Sequence, residues 1–143
     1  MWVAAAFLCT TIASSYAAVK YYSQSESYKQ DYQNMLEDLE HLTIVIHMKI
    51  DYGNGTVVWY NETRVPINST LLTATQIVSS VDYAKFEFGA LITRIDGVGE
   101  DPKKFWLWYY LKPEERKWEY GPVGSDQWTL HYGDIVAWIY TSL

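Results

Sequence analysis

Residues 42–67 read LTIVIHMKIDYGNGTVVWYNETRVPI, and this stretch decides the fold. A β-branched run from Thr43 to Ile50 leads into Asp51-Tyr52-Gly53-Asn54-Gly55, and a second run rich in Val, Trp, Tyr and Thr follows. Branched and aromatic side chains suit a pleated, half-buried surface, and Asn-Gly tolerates the positive φ of a tight hairpin turn. The stretch predicts two antiparallel strands joined at Asn54-Gly55. Pro66 ends the second, because it cannot donate to a ladder.

Working toward the C-terminus, Ser69 or Thr70 is placed to cap a helix over Leu71–Val81. FGALITRIDGV, residues 88–98, predicts a strand closed by the turn Asp96-Gly97. FWLWYYL at 105–111 predicts another strand, and DIVAWIY at 134–140 the last, after the turn Tyr132-Gly133-Asp134. Between them LKPEERKWEYGPV, residues 111–123, reads as a long charged connection. The predicted order is β-β-α-β-β-β, an α+β domain in which one packed helix covers one face of a mixed sheet.

Working toward the N-terminus, residues 1–19 contain no charged side chain but are diluted by Thr and Ser. As a helix rising 1.5 Å per residue they span roughly 27 Å, close to the thickness of a bilayer core. They read as an uncleaved membrane anchor, as a signal peptide cleaved after Ser15-Tyr16-Ala17, or as a buried helix. No basic residue precedes the apolar run, which speaks for the anchor. Residues 20–42 are polar and helix-favouring, with Tyr28, Tyr32, Met35, Leu39 and Leu42 spaced 4, 3, 4 and 3 apart. That is a heptad seam. Either this stalk (residues 21–42) leans on its own domain or it associates with copies of itself. The chain is thus expected to comprise a segment at 1–19, a helical stalk at 20–42 and a β domain at 43–143.

A net charge of −6 argues against nucleic acid as a partner, which requires a basic stripe. The only cysteine, Cys9, excludes an intrachain disulfide and a cysteine metal site. His41, His47 and His131 are isolated in sequence, and no nucleophile-elbow or phosphate-loop motif occurs. Glu37, Glu40 and His41 share a helix face, but that pattern describes a solvated face better than a metal site. Asp96, Glu100 and Asp101 are too few oxygen ligands for calcium. No catalytic residue, metal or cofactor is expected.

Several blocks resemble a known family. Phe88-Gly89-Ala90-Leu91-Ile92-Thr93-Arg94-Ile95-Asp96-Gly97-Val98 is similar to its strand-and-turn motif, and Trp106-Leu107-Trp108-Tyr109-Tyr110 to its aromatic strand. Gly124 to Trp138, with Leu130, Gly133-Asp134 and Trp138 in the expected places, is similar to its closing motif, and residues 54–80 also fit. The family is that of transcobalamin-like C-terminal domains, and the resemblance covers about residues 43–140. It implies a β-grasp fold on a cell-surface protein. In the cobalamin carriers such a domain closes over a corrinoid held by a large helical domain. This chain holds no such helical partner, so a corrinoid role is the weakest expectation.

Two sets of residues remain as candidate sites. Three of the four asparagines, Asn54, Asn61 and Asn68, stand in N-x-S/T sequons, which mark glycosylated loops of exported proteins. Asn61 falls within a strand and is reachable only if its face is open. The aromatics form the other set. Side chains alternate across a strand, so Trp106, Trp108 and Tyr110 share one side, and Phe105, Leu107, Tyr109 and Leu111 the other. Both sides are apolar, so one side needs cover or forms a binding surface. Trp106, Trp108, Tyr110, Trp118 and Trp138 are the expected binding residues, for a small ligand or a protein. The chain reads as a non-catalytic binding module outside the cytoplasm, tethered through residues 1–19 to the cell membrane. The alternative is a pilin-like filament subunit, built from an apolar helix, a stalk and a glycosylated β head.

Overall fold

In the computed structural model the backbone is described for residues 2–142 and the side chains for Tyr16 and residues 18–142. The chain falls into two compact units, Met1–His41 and Leu42–Leu143. One helix, α1 (Trp2–Leu42), carries the first. No Gly or Pro interrupts it, so the helix continues through the composition change near Lys20. The seam residues Tyr28, Tyr32, Met35, Leu39 and Leu42 are exposed. Among the described residues no helix is long and apolar enough to cross a membrane. The expected anchor or signal at 1–19 lies outside the described side chains, apart from Tyr16, Ala18 and Val19.

In the second unit, β1 (Thr43–Asp51) and β2 (Val57–Pro66) form the expected hairpin. The turn differs in detail. Gly53 and Gly55 adopt positive φ, and Asn54 does not. Asn54 Oδ1 instead accepts from the Thr56 backbone N–H at 2.9 Å. Gly53 is required on a second ground, since a Cβ there would stand 2.1 Å from the Tyr140 carbonyl oxygen. Between Ile46 and Met48 the register shifts, so His47 faces both Asn61 and Glu62 across a bulge, with Glu62 at φ 52°.

Helix α2 (Leu71–Val78) starts at Thr70, whose Oγ1 accepts from the Thr73 N–H at 3.2 Å. It ends earlier than expected, because Ser79 is extended and donates its N–H to the Thr75 carbonyl. β3 (Val81–Phe86) begins at the last residue thereby released and pairs with β4 (Gly89–Ile95) in a separate two-stranded sheet. The charged connection after Tyr110 is a hairpin. β5 (Phe105–Lys112) turns through Pro113–Arg116 into β6 (Lys117–Tyr120), which sequence reading missed. The last strand is β7 (Ile135–Thr141). The main sheet has the order β2-β1-β7-β5-β6, with β1 and β7 parallel at its centre and the remaining pairs antiparallel. This mixed sheet with one helix packed on it is the expected α+β, β-grasp arrangement.

The core lies on one side of the main sheet. Ile46, Met48 and Ile50 of β1 and Val136, Trp138 and Tyr140 of β7 meet Leu71, Leu72 and Ala74 of α2. Ala90, Ile92 and Ile95 of the β3–β4 hairpin complete it. Burying each large side chain of this kind contributes about 1.5–3 kcal/mol relative to exposure.

Candidate binding cleft

The β5–β7 register places Trp106 beside Tyr140, Trp108 beside Trp138 and Tyr110 beside Val136. All six side chains fall on the side taken by α2 and the β3–β4 hairpin. Trp106, Trp108 and Trp138 are accordingly 3%, 5% and 1% exposed. Each indole N–H is satisfied inside the unit. Trp138 donates to Thr75 Oγ1, Trp106 to the Val98 carbonyl and Trp108 to the Val123 carbonyl, all at 2.9 Å. Thr75 passes its own proton to the Leu71 carbonyl at 2.7 Å. Tyr110 is half-buried and packs against Trp128 with the rings tilted by 31°, while its hydroxyl donates to Glu119 Oε2 at 2.7 Å. Of the five expected binding residues only Trp118 lies on the opposite side of the sheet, opposite Leu111 and partly exposed. The five therefore do not share one exposed surface, because α2 and its flanking loops settle on the tryptophan-rich side.

Trp106, Trp108 and Trp138 nevertheless come together at a surface feature. Between β4 and the first half of β5 lies a cleft of about 240 Å³, with these three indoles at its base. Phe88, Leu91, Tyr120 and Val123 stand around it, each exposed. A second hollow of about 220 Å³ shares Leu91, Ile92 and Trp106 with it and extends to Phe105, Lys104 and Asp101. The cleft exists because two strands end their pairing here. β4 pairs only with β3, and β6 pairs β5 only from Tyr109 onward. The outer edges of β4 and of Phe105–Trp108 are left without a strand partner, although the Ala90 N–H donates to Asp126 Oδ1 and the Trp108 carbonyl accepts from the Gly121 N–H, and open edges of this kind accept further strands. Gly121 forms one end and lies flat on Trp108, where a Cβ would come within 1.9 Å of the ring.

No charged side chain lines the first cleft. Its one unusual polar group is Ser125, which is 1% exposed and whose Oγ meets no hydrogen-bond partner among the described residues. An unpaired buried hydroxyl costs about 1–3 kcal/mol, so its presence among apolar walls is informative. Sequence reading missed Ser125, Leu91 and Val123. Only the non-local approach of β4 to β5 brings them together, and no local pattern signals that.

Charged groups gather elsewhere. Glu119 accepts from Lys112 at 2.8 Å and from Tyr110, and these hydrogen bonds hold its carboxyl below the usual range while raising both partners. Burial, and then the Asp96 carboxylate at 2.5 Å, push the Tyr52 phenol well above its ordinary value. Among the described residues no three His, Cys, Asp or Glu side chains converge. The sequon asparagines Asn54, Asn61 and Asn68 are all exposed, along edge strand β2 or in the turns at its ends.

No family model matches the chain, and no curated protein matches it in sequence. Solved structures do match in fold. A protein of Ruminococcus gnavus named as a candidate metal-binding protein is similar at 16% identity and TM-score 0.55, over 70% of this chain and 98% of that one. Haptocorrin, solved in complex with Cbi, is similar at 14% identity and TM-score 0.55, over 69% of this chain and 25% of that one. The haptocorrin match bears on the resemblance to transcobalamin-like domains at the level of fold alone.

Proposed function

We propose that this chain is a non-catalytic binding module, tethered to the cell membrane outside the cytoplasm, whose cleft between β4 and β5 holds an extended apolar segment of a protein partner. Ser125 carries the reading: it is a buried hydroxyl without a partner among the described residues, in a cleft otherwise walled by aromatic, aliphatic, Gly and Pro residues. A peptide laid along the open edge of β4 or β5 supplies main-chain donors and acceptors to that edge, and reaches the covered Ser125 Oγ once its entry parts the cleft walls. Its apolar side chains enter over Trp106 and Trp108. This is strand addition, in which backbone bonds give affinity and pockets give specificity. Haptocorrin's complex with Cbi and the naming of the Ruminococcus gnavus protein are in keeping with binding as the use of this fold. The placement outside the cytoplasm is supported by three exposed sequons, and the tether by the apolar composition of residues 1–19.

Photo-crosslinking in the cells that make the protein tests this. A benzophenone side chain at Leu91, on the cleft, is compared with one at Glu114, in the β5–β6 turn. The reading expects a protein adduct at Leu91 only, identified by mass spectrometry and lost in Ser125→Trp. Equal adducts at both positions, or none at Leu91, reject it. Glycan mass on peptides containing Asn54 and Asn68 tests the side of the membrane.

The exposed tyrosine seam of α1 favours a second reading, a pilin-like filament subunit. Fibres in electron micrographs of purified surface material are its requirement, and their absence removes it.

A further inference from the structure

The three sequons are not equivalent. Two residues before Asn54 stands Tyr52, whose ring packs edge-on against Trp106 and whose hydroxyl is spent on Asp96. Two residues before Asn68 stands Pro66. Two residues before Asn61 stands Trp59, 47% exposed on β2. From Val57 to Asn61 the strand alternates exposed and half-buried residues, so Val57, Trp59 and Asn61 share the outward face. Same-face neighbours on a strand lie about 6.6–7 Å apart, one sugar ring's reach. The bulge residue, Glu62, follows Asn61 and restores Thr63 and Val65 to the inner face, so Asn61 stands beside Trp59 without disturbing the ladder beyond. β2 is an edge strand, so no strand flanks Asn61 on its outer side, and on the other side its cross-strand neighbours are His47 and Lys49 of β1.

We infer that Asn61 carries an N-linked glycan whose first sugar packs on the exposed face of the Trp59 indole. The inference rests on the proposed placement outside the cytoplasm, where a lipid-linked sugar phosphate can serve as donor. The Asn61 carboxamide nitrogen attacks the anomeric carbon. A C–N bond forms, the bond from that carbon to the phosphate oxygen breaks, and the lipid phosphate leaves with the electron pair. One amide proton goes to a base of the transferase. The aromatic face carries negative charge density and the axial C–H groups of a sugar are weakly positive, so the two attract as they exclude water.

The test is a double-mutant cycle on the full chain, made in a secretory host that transfers N-glycans and trimmed enzymatically to one sugar per site. Glycopeptide mass gives occupancy, and thermal melting of the detergent-solubilised chain gives the shift. Occupied Asn61 is expected to melt about 4 °C above Asn61→Gln. The difference should persist in Trp59→Tyr and vanish in Trp59→Thr. An equal gain in Trp59→Thr overturns the packing while leaving the glycoprotein reading intact. A bare Asn61 beside occupied Asn54 and Asn68 likewise overturns this inference alone. Three bare sites overturn both.

Discussion

The two faces of the five-stranded sheet are built from the same kind of residue and meet opposite fates. On one, Trp106, Trp108, Trp138 and Tyr140 are buried beneath α2 and the β3–β4 hairpin. On the other, Trp59, Phe105, Trp118 and Tyr120 remain exposed, and Leu107, Tyr109 and Ile139 are half-covered. Hydrophobicity does not separate them. What separates them is what the rest of the chain packs on them. The covered face meets partners for the N–H groups of its three most buried indoles in Thr75, Val98 and Val123, although the Trp128 N–H beside them is buried without a partner among the described residues. An apolar face and a buried face are therefore different things, and the second needs partners from distant parts of the chain.

Mutations can break this comparison. The largest effect is expected from Trp138→Ala, which empties the centre of the covered face and should cost about 3–5 kcal/mol in denaturant unfolding. A loss below that of an exposed substitution would mean that the face is not the core. Thr75→Val keeps the shape but strands the Trp138 N–H, and should cost about 1–3 kcal/mol. An unchanged unfolding midpoint would show that this hydrogen bond does not govern which face is covered. Trp118→Ala, on the open face, should change unfolding by no more than about 0.5 kcal/mol. If it destabilises as much as Trp138→Ala, the two faces are equivalent after all.

Much of the fold was legible. The 43–66 hairpin, the 89–95 strand with its Asp96-Gly97 turn and the final strand all announce themselves by β-branched runs beside turn residues, which are local signals. β6 escaped because Lys117-Trp118-Glu119-Tyr120 is short and charged, and only its pairing with Tyr109–Lys112 makes it a strand. β3 escaped because it follows α2 with no Gly or Pro between them, and Ser79 alone marks the break. The candidate site was half legible. Trp106, Trp108 and Trp138 do meet at the cleft, but as its base, and the residues that open it come from β4 and the loop after β6.

By itself the sequence determined which residues share a face, because the pleat alternates with period two and needs no partner to do so. It also determined where the three sequons fall and that the single cysteine cannot form an intrachain disulfide. Which face is covered, and where two strand edges are left unpaired, only the tertiary structure decided. Those outcomes depend on contacts between residues far apart in the chain, such as Thr75 with Trp138 and Asp101 with Tyr140, and no local pattern encodes them.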